Sequence, residues 1–251
     1  MFMALLPMHT LRDGYADATG DAVAPLEVSE YLGEVEAAGP GEEVPSTEGA
    51  AIVMDEESYT FKVVTTKSGD SGKTEYYGNK ERQPKTGQMF VVVGALDELN
   101  SHLGVVKAHL TEVAQGSAGM DLTRFLEWLQ RMILRIGALY GTDFESEVYG
   151  KLKKVTDKDI GELEADEQRI LAQTHIPRKF VLPGLNRVAA FTDVARTVCR
   201  RAEIEMLKFI ERYFGEPIAS AGPRQDYQKT IVFVNRLSDY LFVLARSFES
   251  R

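Results

Sequence analysis

The chain has 251 residues, of which 44% are hydrophobic and 27% are charged, and its formal net charge is −9. This composition is ordinary for a globular protein, and the length is sufficient to bury a sizeable core. The single cysteine, Cys199, excludes an internal disulfide framework and fits a reducing compartment. No uninterrupted apolar run approaches the roughly 20 residues that span a bilayer, so we expect no membrane partner.

The negative charge is concentrated in the first 58 residues, which contain 13 acidic residues and one basic residue, Arg12. The remainder of the chain carries a net charge of +3 and has no concentrated basic patch of the kind that binds nucleic acid. Low hydrophobicity and like charge predict that residues 1–58 are disordered, and residues 59–251 are predicted to form the folded domain. The N-terminus is not arginine-rich like a transit peptide, so we expect a cytoplasmic location, with the mitochondrial matrix as the alternative.

A polar, glycine-rich segment precedes the first regular element and contains TKSGDSGKT at residues 66–74. It is not a Walker A loop, because the first glycine of that motif would fall at Lys67 and no buried strand precedes it. Its glycines, hydroxyls and lysines can nevertheless hold phosphate through backbone N–H and ammonium groups. An ordinary solvated loop remains the alternative, since such residues are common in turns.

From residue 89 onward, apolar residues recur at helical spacing and predict five long amphipathic helices. The second is predicted to begin with Asp121 as its N-cap, the third with Thr156, and the fourth to span Asn186 to Phe214. The apolar stripe of the first helix consists of Leu96, Leu99, Leu103, Val106 and Leu110, that of the third of Ile160, Leu163, Ile170 and Leu171, and that of the fifth of Val234, Leu237, Leu241, Leu244 and Phe248. Five such helices with short links predict an all-α, antiparallel five-helix bundle.

The fourth helix carries Arg196, Arg200 and Glu203 within an arc of about 60° on one face. Arginine suits phosphate or carboxylate groups, and Glu203 can hold an arginine or help to position a metal ion. A solvent-exposed face with charge pairs is the alternative, and periodicity alone favours it. On the first helix, Asp97 lies near the buried edge and needs a cationic partner, for which Arg196 is one candidate.

Five sequence motifs occur in a fixed order along the chain. They are TKSGDSGKT at 66–74, ALDELNSHLG at 95–104, FVLPG at 180–184, ARTVCRRAE at 195–203 and NRLSDYLFVLAR at 235–246. Together they resemble the propanediol-utilisation (PduO) type of ATP:cob(I)alamin adenosyltransferase over about residues 59–251. The resemblance implies a homotrimer of five-helix bundles with active sites between neighbouring subunits. It also implies transfer of the 5′-deoxyadenosyl group of ATP to the cobalt of cob(I)alamin, which gives adenosylcobalamin and triphosphate.

The same resemblance assigns roles to individual residues. Arg200, Glu203 and Phe180 are implied to act in catalysis, and Phe180 closes off the lower face of cobalt. Asp97 and Arg196 are implied to form a salt bridge across the subunit interface beside the corrin. The ATP-binding residues, which include an N-terminal loop at 65–88, are implied to be Thr66, Lys67, Ser68, Gly69, Thr74, Lys85, Arg200, Arg201, Glu203 and Asn235. Mg²⁺ is expected with the ATP, and no spacing of histidine, cysteine and acidic residues predicts a metal site made by protein side chains alone.

Two alternatives to the enzyme remain open. One is a non-catalytic relative on the same fold that binds cobalamin or ATP as a chaperone or sensor, and the other is a structural helical bundle. The ordered motifs, with Arg200, Glu203, Asn235 and Phe180 in place, favour the enzyme. Its expected partners are ATP, cob(I)alamin or cob(II)alamin, a reductase and an adenosylcobalamin-dependent mutase.

Overall fold

The computed structural model describes residues 65–113, 117–215 and 223–249, so the predicted disorder of residues 1–58 and the domain boundary at 58/59 lie outside it. Within these ranges the chain forms one two-stranded hairpin followed by six helices. The strands are β1 (Lys73–Glu75) and β2 (Arg82–Pro84), and the helices are α1 (Gln88–Val113), α2 (Ser117–Tyr140), α3 (Glu147–Lys151), α4 (Asp157–Leu171), α5 (Arg187–Phe214) and α6 (Pro223–Glu249). Five of the helices are long, which confirms the predicted all-α bundle.

Side-chain contacts give the direction of α1 relative to α5. Gln88, at the start of α1, donates a hydrogen bond to the Glu205 side chain near the end of α5 at 2.9 Å. His109, near the other end of α1, packs on Phe191 near the start of α5. The two helices are therefore antiparallel, and the start of α1 lies beside the second half of α5.

One neighbouring pair of helices is parallel rather than antiparallel. Asp157 at the start of α4 pairs with Lys229 near the start of α6 at 2.8 Å, and Glu164 pairs with Arg236 further along both helices at 2.8 Å. Because successive long helices alternate in direction along the chain, the third and the fifth, α4 and α6, run in the same direction. Direct packing between these two is the feature that the sequence pattern did not predict.

The leucine stripe of α1 forms the centre of the core. Its five predicted members, Leu96, Leu99, Leu103, Val106 and Leu110, are each at most 2% exposed. Beside them, the rings of Tyr140, Phe209 and Tyr227 lie with centroids 4.8 to 5.0 Å apart. Leu171, which was predicted to belong to the stripe of α4, is 46% exposed because the helix ends there.

The ends of the helices agree in part with the predicted caps. Thr156 and Asp159 form a reciprocal capping box at the start of α4, and the side chain of Asn186 caps α5. The prediction for α2 was wrong, because the helix begins at Ser117 and Asp121 lies inside it. The intervening sequence contains no proline that would stop the helix from extending towards its N-terminus. The hairpin and α3 were not predicted, since elements of three to five residues are too short to show a hydrophobic period.

A buried ion pair joins α5 to α6. The carboxylate of Asp193 accepts a hydrogen bond from Arg246, and the two side chains are 6% and 4% exposed. Nearby, the side-chain amide of Asn186 donates to the carbonyl oxygen of Phe248 at 2.8 Å. These contacts fix the start of α5 against the end of α6, so the two helices are antiparallel.

Two helices present apolar surface that the chain itself leaves uncovered. The segment Gln88–Thr111 of α1 is long and apolar enough to cross a membrane by length and composition, and less than half of its most apolar stretch is buried within the chain. The core helix of a bundle has the same properties. On α5, which packs against α1, Val194, Ile204 and Leu207 are between 42% and 53% exposed. An uncovered apolar surface of this kind is typical of a contact with another molecule.

Candidate functional site

The N-terminal loop folds back so that Lys85 lies against Gly69. The backbone N–H of Lys85 donates to the carbonyl oxygen of Gly72 at 2.9 Å, at the end of the β1–β2 hairpin. A Cβ atom on Gly69 would lie 2.5 Å from Lys85 Nζ, so a larger residue at this position would displace the end of the lysine side chain. The hairpin therefore brings together two of the residues that the resemblance assigns to ATP.

The turn before β1 presents hydroxyl and ammonium groups to solvent. Lys67 adopts a left-handed backbone conformation with φ 57°, and the hydroxyl oxygens of Thr66 and Ser68 lie 2.9 Å apart. Arg82 on β2 donates to the carbonyl oxygen of Ser68 and, at 2.8 Å, to that of Lys73. Arg82 thus holds the turn in place, a role that the sequence analysis missed because the hairpin was not predicted.

Backbone hydrogen bonds fix the N-terminal loop to the end of α2. The N–H of Tyr77 donates to the carbonyl of Gly141 at 3.0 Å, and the N–H of Asp143 donates to the carbonyl of Tyr77 at 2.9 Å. The side-chain amide of Asn79 donates to the Asp143 carboxylate at 2.7 Å. Thr74, on β1, is half buried. The loop is therefore held on the bundle by hydrogen bonds on both sides of Gly78.

A second group of polar residues lies where α5 packs against α1 and α6. Arg200 and Arg201 are exposed, Glu203 is half buried, and Arg201 forms an ion pair with Glu98 of α1. The carboxylate of Glu203 accepts a hydrogen bond from the side-chain amide of Asn235 on α6 at 3.1 Å. The antiparallel packing of α5 and α6 thus joins two residues that belong to separate sequence motifs.

Cys199 lies on the buried side of the same helix. Its Sγ donates to the carbonyl oxygen of Val234 at 3.3 Å, and burial raises the pKa of the thiol. Because only the thiolate is an effective nucleophile, this residue packs in the core and does not serve as a reactive group.

Asp97 and Arg196 do not meet within the chain. Among the described residues, the guanidinium of Arg196 donates through Nε to the Asp193 carboxylate at 3.1 Å. Asp97 is half buried and lines a cleft between α1 and α2, together with Val93 and Asn100. Within a single chain, Arg196 therefore pairs with Asp193, three residues earlier on the same helix, and not with Asp97. The salt bridge between subunits stays a prediction.

Phe180 lies in the connection between α4 and α5 and is fully exposed. Leu182 and Leu185, in the same connection, are 88% and 74% exposed. Three large apolar side chains in a short exposed segment are unusual on the surface of a monomer, where such residues usually occur singly. The segment is suited to contact a large apolar or amphipathic ligand.

The residues that the resemblance assigns to one site lie on three parts of the chain: the N-terminal loop, the connection before α5, and the facing surfaces of α5 and α6. The N-terminal loop lies at the start of α1, beside the second half of α5. Phe180 precedes the start of α5, whereas Arg200 lies about 20 Å further along that helix from Asn186. The N-terminal loop therefore meets α5 at Glu205, about 8 Å along the helix from Arg200, whereas Phe180 lies in the connection that leads into the start of the helix.

Comparison with known proteins identifies the family. A family model described as cobalamin adenosyltransferase matches residues 64–248. The chain is 32% identical to the corrinoid adenosyltransferase MMAB of Homo sapiens, a match that covers 73% of this chain and 67% of that protein. It is 30% identical to the corrinoid adenosyltransferase of Bacillus subtilis, with 74% and 86% covered.

The structure is also similar to solved structures. One is a variant PduO-type ATP:corrinoid adenosyltransferase from Lactobacillus reuteri complexed with cobalamin and ATP. It has a TM-score of 0.61 and 29% sequence identity, and the match covers 74% of this chain and 92% of that chain. The match to the family model and the match to the human relative each cover most of this chain. The chain therefore belongs to the cobalamin adenosyltransferase family.

Proposed function

We propose that this chain, as a corrinoid adenosyltransferase, transfers the 5′-deoxyadenosyl group of ATP to the cobalt of cob(I)alamin, and that ATP binds at the α5 arginines and the N-terminal loop. The observation that carries this assignment is the contact between Glu203 and Asn235 beside two exposed arginines. That contact unites the α5 and α6 motifs into one polar surface. Similar structures that hold cobalamin and ATP support it.

The cationic groups act on the leaving triphosphate. In this reaction the cobalt is the nucleophile, so the protein needs no nucleophilic side chain of its own. The C5′–O bond breaks, and negative charge grows on the triphosphate. Arg200, Lys67 and Lys85 offer preorganised positive charge to this end of ATP, which stabilises the transition state more than the bound substrate. Mg²⁺ bound to the phosphates would add to this stabilisation, and the carboxylate of Glu203 is the type of oxygen ligand that it prefers.

Phe180 acts on the second substrate, cobalamin. Reduction of cob(II)alamin is difficult while water or the lower base stays bound to cobalt. An apolar side chain against the lower face displaces that ligand and favours the four-coordinate form. The full exposure of Phe180 in a single chain leaves its ring available for this contact.

The functional unit in this proposal is a homotrimer with active sites between subunits. The uncovered apolar residues of α1 and α5 supply a contact surface, and Asp97 and Arg196 pair across it beside the corrin. Such an arrangement would bring the Phe180 segment of one subunit towards the nucleotide surface of its neighbour. A reductase supplies cob(I)alamin, an adenosylcobalamin-dependent mutase receives the product, and the location is cytoplasmic or in the mitochondrial matrix.

The test is anaerobic incubation of the protein with ATP, Mg²⁺ and chemically reduced cob(I)alamin, followed by the cobalt absorption spectrum. We expect light-sensitive adenosylcobalamin to form together with triphosphate. If no product forms, the assignment as an enzyme fails. Tight binding of cobalamin without turnover would instead support a non-catalytic chaperone or sensor.

A further inference from the structure

Arg236, the residue after Asn235 on α6, connects three helices. Its Nε donates to the carboxylate of Glu164 on α4 at 2.8 Å. Its Nη1 donates to the side-chain carbonyl oxygen of Asn235 at 3.0 Å. The amide of Asn235 in turn donates to Glu203 on α5 at 3.1 Å. A continuous line of hydrogen bonds therefore runs from α4, through α6, to the proposed nucleotide surface.

The chemistry of these groups permits only one orientation of the Asn235 amide. A guanidinium group carries donors and no acceptor, so the carbonyl oxygen of Asn235 must face Arg236. The amide nitrogen must then face the opposite direction, towards the carboxylate of Glu203, which accepts. If the amide were rotated by 180°, its nitrogen would face the donors of Arg236, and its oxygen would face the carboxylate. Both contacts would be repulsive.

Two carboxylates of α4 attract Arg236 towards this position. Glu164 pairs with it directly, and Glu167 lies close enough to interact with it electrostatically. Burial and the neighbouring Asp239 raise the pKa of Glu167, and the positive charge of Arg236 opposes that rise. The guanidinium of Arg236 is therefore directed from α6 towards Glu164 on α4 before any ligand binds.

We infer that Arg236, held by Glu164, is a positioning residue that fixes the Asn235 amide towards Glu203 and so sets the geometry of the nucleotide site. The inference rests on the proposed ATP site. Without Arg236, the amide of Asn235 can take either orientation, and one of them turns its oxygen to Glu203. ATP binding then loses a preorganised pair of side chains, whereas the cobalamin surface at Phe180 is unchanged.

The experiment compares Arg236→Met with Lys229→Met. Lys229 and Arg236 both lie on α6 and form 2.8 Å ion pairs with α4, but Lys229 has Asp157 as its partner and lies six residues before Asn235. For Arg236→Met we expect the KM for ATP to rise about fivefold to tenfold, as for loss of one ordinary hydrogen bond, while the KM for cob(I)alamin stays the same. For Lys229→Met we expect both constants to change less than about twofold, as for an exposed pair. Equal effects of the two substitutions would mean that Arg236 only joins α4 to α6, and would overturn the inference.

A second comparison tests whether Arg236 acts through Asn235. In the Asn235→Ala background, Arg236→Met should raise the KM for ATP no further, because no amide remains to be oriented. Additive effects would contradict the positioning role. If the wild-type protein makes adenosylcobalamin and Arg236→Met has a normal KM for ATP, the inference fails and the proposed function stands. If the wild-type protein binds ATP without turnover, calorimetric ATP affinities replace KM, and if it does not bind ATP, both proposals fail.

Discussion

At the scale of single residues, the two adjacent arginines of α5 have different surroundings. Arg201 forms an ion pair with Glu98 of α1, which lowers its ability to neutralise a ligand, whereas Arg200 is exposed at the preceding position of the helix. A planar guanidinium in that position matches the oxygens of a phosphate group. Arg200 is therefore the better candidate to stabilise the leaving triphosphate.

Replacement of Arg200 tests this assignment. We expect Arg200→Ala to lower the turnover rate at saturating ATP by at least tenfold, about 1.4 kcal/mol in the activation free energy, because the transition state loses a preorganised charge. Steady-state kinetics measure the change. Lys208→Ala is a suitable control, since Lys208 lies on the same helix and pairs with Glu205 of that helix. A wild-type rate in Arg200→Ala would remove its proposed role.

Phe180 gives a prediction that concerns the redox state of cobalt. We expect Phe180→Ala to slow the reaction that starts from cob(II)alamin much more than the reaction that starts from chemically reduced cob(I)alamin. The reason is that the ring would be needed to displace the lower ligand before reduction, and not for transfer itself. Parallel assays from the two starting forms measure the ratio. Leu171→Ala removes another exposed apolar side chain and serves as the control. An equal loss on both routes counts against the proposed role.

At the scale of the helices, the contact between the start of α5 and the end of α6 depends on a buried charge. Asp193 pairs with Arg246 in an environment where both side chains are less than 7% exposed. In Asp193→Ala the buried Arg246 keeps Glu249 as a partner at 2.9 Å but loses the carboxylate that accepts its second hydrogen bond. We expect the substitution to lower the free energy of unfolding by about 2 kcal/mol, as for loss of a buried hydrogen bond to a charged group, measured by urea denaturation.

The matched control is Asp121→Ala on α2. Asp121 also faces an arginine three residues later in its helix, Arg124, at 3.8 Å, but these side chains are more than 70% exposed. An exposed pair contributes about 0 to 1 kcal/mol, so the control should change stability little. Equal losses in the two variants would show that burial of Asp193 has no special effect.

The junction of α3 and α6 predicts a dependence of stability on pH. Burial lowers the pKa of Lys154 to about 8, although Asp226, 3.8 Å away, opposes the shift. Between about pH 8 and the ordinary lysine value of 10.5, the unfolded chain binds a proton that the folded chain has released. The free energy of unfolding should therefore rise with pH in this window, by at most about 1.4 kcal/mol per pH unit.

Urea denaturation between pH 7.5 and pH 9.5 measures how the free energy of unfolding changes with pH. The difference in slope between wild type and Lys154→Met is the contribution of this one lysine. We expect the variant to lose the rise, because groups that titrate elsewhere are common to both proteins. Lys208→Met, at an exposed position of α5, should keep the wild-type slope. The same slope in wild type and Lys154→Met would contradict the assignment.

At the scale of the whole molecule, the chain combines a bundle that folds on its own core with surfaces that it does not cover. The apolar residues of α1 and α5, and the segment around Phe180, are the clearest examples. In the proposed trimer, contact between copies would bury these surfaces and place the active sites between subunits. This arrangement links folding, assembly and activity in the proposed enzyme.

The acidic N-terminal segment gives a prediction at the same scale. We expect deletion of residues 1–58 to leave the turnover rate within about twofold of that of the full chain. The family match begins at residue 64, and an acidic segment of low hydrophobicity cannot bury a core of its own. Deletion of residues 1–87 is the contrasting variant, because it also removes Lys67 and Lys85 and should abolish ATP binding. A large loss of activity in the shorter deletion would assign a function to the acidic segment.

The sequence by itself determined the helices and the chemistry that they carry. The spacing of Leu96 to Leu110 defines a buried stripe in any packing, because that spacing places the side chains on one face of a helix. Similarly, ARTVCRRAE and NRLSDYLFVLAR carry the family resemblance as contiguous residues, independently of how the helices pack. Local features of this kind depend on neighbours in the chain, so they can be predicted without a structure.

Only the tertiary structure decided which of these residues meet. The register of α5 against α6 joined Glu203 to Asn235, and it joined Asp193 to Arg246. The parallel packing of α4 and α6 brought Glu164 to Arg236, and no sequence period predicts that contact. Such pairings depend on helix order and axial shift, which are set by the fit of whole packed faces, whereas the sequence pattern of each helix specifies only which face is buried.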